Sequence, residues 1–173
     1  MKAIIIEIKA RCHNPEDIES ILLSNNALYE GSDLQIDTYF NSESGRVKLR
    51  EGNIENSLIH YYRAERKGQK KSEVTLYKTE GDSYALKEIL SNTLGIKTVV
   101  EKTRKIFFIE NVKFHIDQVK NLGSFVEIEA IDVNGKVGED KLRKQCNDFV
   151  SLLGLDKAEF LDQSYSDMMA GSK

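Results

Sequence analysis

The chain has little of what cross-links, divides or anchors a fold. Its two cysteines, Cys12 and Cys146, are far apart and lack metal-ligand spacing. They read as two reduced thiols, which argues against a disulfide framework and against a zinc-type site. There is one proline, Pro15, and no repeat, low-complexity tract or Pro/Gly/Ser-rich linker. Residues 1–173 are therefore expected to form one domain. No apolar run approaches the length of a membrane-spanning helix. In the opening MKAIIIEIKA, Glu7 and Lys9 interrupt a run already too short for a signal peptide. A cytoplasmic protein with no membrane partner is the expectation. An excess of positive charge is also missing: Lys and Arg number 25 against 28 Asp and Glu, a net charge of −3. No overall positive field would draw in a polyanion, so no nucleic-acid partner is expected. A local basic pocket remains compatible with this composition.

What is present is a globular composition. The 173 residues are 40% hydrophobic and 31% charged, enough to bury a core and without a disorder signature. AIIIEIKAR (3–11) alternates as a strand: Ile4, Ile6 and Ile8 share one face, and Ile5, Glu7, Lys9 and Arg11 the other. Asn14-Pro15-Glu16-Asp17 predicts a helix start with Asn14 as the cap, and the helix should run to about Asn25 or Asn26. QIDTYF (35–40) and RVKLRE (46–51) read as a hairpin. SLIHYYRAER (57–66) and EVTLYKT (73–79) flank a polar turn, KGQKK. A helix from Ser83 to Leu94 should stop at Gly95. Strands are expected over 97–110, 112–119 and 125–132, then a helix over 139–153 ending at Gly154 and a short helical tail. Hairpin-length connections suggest an antiparallel sheet with helices outside, an α+β fold whose sheet closes into a barrel.

The informative feature is which charges share a strand face. Lys48 and Arg50 do, with Val47 and Leu49 opposite; so do Lys102 and Arg104. His115 and Asp117 share a face, with Phe114 and Ile116 opposite, and Glu127 and Glu129 share another, with Val126 and Ile128 opposite. On any one strand this describes a solvated sheet face. Its recurrence on nearly every strand suggests an inverted barrel, apolar outside under helices and polar within. Such an interior would gather cations able to hold a polyphosphate and carboxylates that need a counter-charge. A hard divalent cation, Mg2+ or Mn2+, would supply it.

These residues resemble the CYTH-domain family of triphosphate tunnel metalloenzymes, and within it the class IV adenylate cyclase-like branch. The resemblance rests on IEIKAR, QIDTYF, GRVKLRE, EKTRKIFF and HIDQVKNLGSFVEIEA, in that order, with SYSDMM resembling the branch's closing segment. It implies an eight-stranded antiparallel tunnel binding a triphosphate and divalent metal. Carried over, Glu7, Asp117, Glu127 and Glu129 match the metal-associated acids. Lys9, Lys48, Arg50, Lys102 and Arg104 match the triphosphate-binding positions, with Arg63 and Lys78 as further members from the middle strands. Lys9, Arg50, Lys102 and Arg104 form the catalytic set. Asp37 reads equally as a site contributor or as a structural hydrogen-bonding group. His115 reads as a wall hydrogen-bonder rather than a base or ligand. The family's first strand usually reads Glu-x-Glu-x-Lys, whereas here isoleucine, Ile5, replaces the first glutamate. Three functions follow as expectations: cyclisation of ATP to cyclic AMP and pyrophosphate; hydrolysis of tripolyphosphate, thiamine triphosphate or a nucleoside triphosphate; and non-catalytic phosphate or nucleotide binding. The branch also implies a homodimer.

Overall fold

The computed structural model describes residues 1–63 and 68–171. Eight strands, β1 (Lys2–Arg11), β2 (Leu28–Phe40), β3 (Arg46–Glu51), β4 (Ser57–Arg63), β5 (Lys70–Lys78), β6 (Ile96–Ile109), β7 (Val112–Val119) and β8 (Gly123–Val133), form the sheet. They close into a barrel in the order β1-β5-β4-β3-β2-β6-β7-β8, and all neighbours are antiparallel. The helices are α1 (Pro15–Ser24), α2 (Tyr84–Leu94), α3 (Glu139–Leu152) and α4 (Tyr165–Gly171), with a 3-10 turn at Lys157–Glu159. The expected class, a closed eight-stranded antiparallel barrel with helices outside, is the observed one.

Alternation in β1 determines the layout. Ile6, Ile8 and Ala10 are buried on the outer face and join Phe107, Phe114, Ile116, Val126 and Ile128 of β6, β7 and β8. Ile18 and Leu22 of α1, and Leu142, Cys146 and Val150 of α3, pack onto that face. The main core therefore lies between the barrel wall and two helices, which leaves inward positions free to be polar. Coverage is incomplete elsewhere. Helix α2 buries no residue, and Leu34, Ile36 and Tyr77 are exposed. Helical backing of the apolar outer face is thus confined to part of the barrel. Among the described residues, no helix is long and apolar enough to cross a membrane. Cys12 and Cys146 are free and buried, as the sequence suggests.

Several local expectations differ from the structure. Strand β2 begins at Leu28, not Gln35, because a bulge between Tyr29 and Gly31 breaks the alternation that marks a strand. Gly31 is required there: its φ is +146°, and a Cβ would meet Ile54 Cδ1 at 2.8 Å. The KGQKK segment is not all turn, since Lys70 and Lys71 belong to β5 and pair with Glu7 and Ile6 of β1. Strand β4 runs to Arg63; the remainder of the expected 57–66 strand lies outside the described residues. Asn14 precedes the helix, but its side chain makes no capping bond. The turn at Gly123 is as expected, with φ +97° and Gly123 opposite Val119 in register.

Candidate functional site

Register brings the predicted acids and bases together. Across β1 and β8, Lys9 stands opposite Glu127, Glu7 opposite Glu129, and Ile5 opposite Ile131. Arg104 stands opposite Asp117 and Asp37 opposite Arg50. With Lys48, Arg63, Lys78 and Lys102, all the predicted site residues except Asp117 line one cavity of about 300 Å³ within the barrel.

Asp37 is the hub of the basic wall. Its Oδ2 accepts from Lys48 Nζ at 2.8 Å and Lys102 Nζ at 2.7 Å, and Arg50 donates Nε and Nη2 to its two oxygens at 2.9 and 3.1 Å. Burial would raise the Asp37 pKa, but Arg50, Lys102 and Lys48 hold it well below the usual carboxylate range. Burial pushes Lys102 down to about 7 against the pull of Asp37. Asp37 is already satisfied by Arg50 and Lys48, so Lys102 is the cation most readily neutralised. Arg63 donates Nη1 to Glu7 at 2.9 Å. Its Nε and Nη2 are buried with no partner among the described residues, an unmet donor capacity on the cavity wall.

The acidic wall divides in two. Asp117 is committed: Arg104 donates to both its oxygens at 2.7 and 2.6 Å, and the Tyr165 hydroxyl donates at 2.8 Å. Its oxygens thus face Arg104 and Tyr165, while Glu127 and Glu129 face His115. Glu127 pairs with Lys9 at 3.0 Å and Arg104 at 2.9 Å and faces His115 Nδ1 at 3.0 Å. Burial would raise its pKa, but Lys9 and Arg104 hold it well below the ordinary range. Glu129 lies 3.7 Å from the same ring. Ligand atoms of His115, Glu127 and Glu129 all lie within 4.8 Å of one another, and Glu7 stands directly across from Glu129. Burial lowers the His115 pKa, with Arg104 adding to it. A neutral ring donating from Nδ1 to Glu127 leaves Nε2 as an acceptor, and that atom is buried without a partner among the described residues. His115 hydrogen-bonds Glu127 in the barrel wall and, among the described residues, belongs to the one acid–imidazole cluster. These oxygen-rich donors fit a hard divalent cation.

Other residues of the site had no signal, or a weak one, in the sequence. Glu55, in the β3–β4 loop, accepts from Arg50 at 2.9 Å and from Lys113. Asp33 holds that loop by accepting from the Ile54 and Glu55 amides at 2.8 and 3.0 Å. Lys113 was legible, since it shares the inward face of His115 and Asp117 two residues earlier. Lys70 is buried and donates to the Leu161 carbonyl at 2.6 Å; burial, then Arg63, pulls its pKa down to about 8. Tyr165 of α4 closes one end of the bore. Its ring packs with Phe125, Val100, Val119 and Tyr39 and lies 3.6 Å from Lys9 Nζ, and Arg46 ties Asp167 of the same helix at 2.8 Å. Lys78 sits apart from the other cations. Arg63 is opposite Ser72, and the strand from there to Lys78 spans roughly 20 Å at about 3.3 Å per residue, which puts exposed Lys78 at the opposite mouth.

The CYTH domain profile matches residues 3–165. The chain belongs to the CYTH family. A relative in Methanocaldococcus jannaschii, named "Putative adenylate cyclase", is 25% identical over 95% of this chain and 98% of its own. Among solved structures, the PH1012 protein of Pyrococcus horikoshii superposes with a TM-score of 0.76 at 23% identity, covering 94% of this chain and 98% of that one. A Hippeastrum protein, described as an adenylyl cyclase candidate with a dominant triphosphatase activity, superposes with a TM-score of 0.64 at 13% identity, covering 99% and 96%. At these identities the structural likeness is one of fold, and the fold is the CYTH tunnel.

Proposed function

We propose that this CYTH protein is a metal-dependent enzyme acting on a triphosphate within the barrel, most closely an adenylate cyclase-like lyase. The observation that carries the reading is the paired set of walls: Lys9, Lys48, Arg50, Arg63, Lys102 and Arg104 on a cavity that also bears Glu7, Glu127 and Glu129. In the free protein these cations are neutralised largely by the acids. A triphosphate therefore brings an excess of negative charge, which a divalent cation would offset. Glu127 and Glu129, with His115 and Glu7 beside them, would hold Mg2+ or Mn2+. When bound, such an ion supplies charge neutralisation on phosphate oxygens and activation of an oxygen nucleophile. The chain's own part is binding and orientation. The Lys and Arg side chains grip the β- and γ-phosphates, with guanidinium forks fixing their direction. The ribose 3′-hydroxyl gives up its proton to solvent, its oxygen bonds to the α-phosphorus as the bond to the α–β bridging oxygen breaks, and pyrophosphate departs. The same cations stabilise the charge that accumulates on the departing pyrophosphate.

Hydrolysis in the same cavity is the second reading, supported by the triphosphatase activity ascribed to the Hippeastrum structure. Incubation with ATP and with tripolyphosphate, each with Mg2+ or Mn2+, separates the two. Cyclic AMP with pyrophosphate is the expected outcome; orthophosphate would replace the cyclase reading by hydrolysis, and binding without product would leave a nucleotide-binding module.

Lys102 gives this reading a pH signature. Its pKa of about 7 in the free protein should rise when a polyanion binds, so binding takes up a proton above neutrality. Affinity for tripolyphosphate should then be level below about pH 7 and fall above it, by up to about tenfold per unit. Lys102→Arg, whose guanidinium stays charged, should remove this contribution. Calorimetric titrations of both proteins across that range provide the check, and parallel pH profiles would sink the assignment.

A further inference from the structure

On four neighbouring strands, β8, β1, β5 and β4, the inward face changes character in the same direction. On β1 it passes from Lys9 and Glu7 to Ile5, and on β8 from Glu127 and Glu129 to Ile131. On β5 it passes from Ser72 to Val74 and Leu76 before Lys78 at the mouth, and on β4 from Arg63 through Tyr61 to Ile59 before Ser57. Ile5, Val74, Leu76 and Ile131 are only partly buried and line the same cavity as the cations. Their apolar surface is turned on the bore rather than packed away. The opposite end is closed by Tyr165, which is 4% exposed. A triphosphate held by the cations therefore has its ester end, if it has one, toward the apolar stretch.

We propose that this stretch seats the organic group of a triphosphate monoester, and that Ile5 and Ile131 select such esters over inorganic tripolyphosphate. The inference rests on the reading of the charged chamber as a triphosphate site and narrows it to one substrate class. An organic group gains by covering aliphatic side chains. Against the Ile, Val and Leu side chains themselves a phosphate oxygen would lose water and gain no donor, and the cations that could receive it lie along the same bore at Lys113, Lys78 and the charged chamber. Ile5 thus has a role of its own. It stands opposite Ile131, one inward-facing pair beyond Glu7 and Glu129, and a glutamate at that position would put charge where the aliphatic contact is made.

The test is equilibrium binding of two probes, ATP and inorganic tripolyphosphate, each with Mg2+, to the wild type and to Ile5→Thr/Ile131→Thr. Threonine keeps the β-branching that suits a strand. ATP should bind the double variant about tenfold more weakly, with tripolyphosphate affinity changed less than about twofold. Equal weakening of both probes, or unaltered ATP affinity, would overturn the selectivity while leaving the triphosphate site intact. Failure of both probes to bind the wild type would overturn the triphosphate reading itself and the inference with it. Should the double variant not fold, Ile5→Val/Ile131→Val should show a smaller loss confined to ATP, and an equal effect on both probes would count against the proposal in the same way.

Discussion

Glu127→Gln is expected to reduce metal-dependent turnover by more than about a hundredfold, since an ion at this site would take several kcal/mol off the barrier. It should also lower stability, because Glu127 is more than a ligand. Lys9 at 3.0 Å and Arg104 at 2.9 Å both depend on it, and a buried pair that loses one charge is destabilised by roughly 3 kcal/mol. At this chain length that corresponds to a fall in Tm of about 10 °C. Glu129→Gln separates the two effects. Glu129 faces His115 at 3.7 Å and has no part in the Lys9–Arg104 network, so its variant should lose turnover with its melting temperature almost unchanged. Steady-state kinetics and thermal melts of the two variants make the comparison. Full activity in Glu129→Gln would remove that residue from the metal assignment, and full activity in Glu127→Gln would remove the acidic wall as a whole.

Asp37→Asn should be the most destabilising single change in the chamber. One carboxylate there serves Lys48, Arg50 and Lys102, and the amide would leave Lys48 and Arg50 without that charge and drive Lys102 toward its neutral form. The expected loss is about 4 kcal/mol, read by denaturant unfolding at neutral pH. The pH dependence has a definite sign. Burial works to raise Asp37, Asp117 and Glu127, but the cations around them hold all three below their usual range. Each binds fewer protons folded than unfolded, so the stability it contributes is present above about pH 4 and is lost as pH falls below that. Asp37→Asn should flatten part of this acid limb. High concentrations of tripolyphosphate should recover some of the lost stability, since a bound anion replaces the missing charge. A variant as stable as the wild type would show that the three cations need no shared counter-ion.

The charged alternation of Glu7 and Lys9, Lys48 and Arg50, Lys102 and Arg104, and Glu127 and Glu129 was legible because a strand turns every second residue to the same face. The family motifs made the closed tunnel legible too. The closing helix was less so: SYSDMM reads as a tail, and only its packing shows Tyr165 against Lys9, Asp117 and Phe125. Glu55 and Asp33 were not legible, since neither belongs to a periodic pattern that marks the site. Their roles depend on a loop that Asp33 holds through backbone amides. From the sequence Lys70 reads as part of a turn, because KGQKK has no apolar alternation, whereas pairing with β1 makes it a buried strand residue.

The sequence by itself determined which side chains face the bore and that the bore is charged, because strand periodicity and hydrophobic burial are local and additive. Only the tertiary structure decided which acid meets which base, because those pairings follow from the register between strands far apart in the chain. It set Asp117 onto Arg104 and Tyr165, left Glu129 across from Glu7 beside His115, and placed Ile5 against Ile131. From the sequence, Ile5 reads as a missing glutamate. In the barrel it is part of an apolar wall, because closure of β8 onto β1 gives it an aliphatic partner.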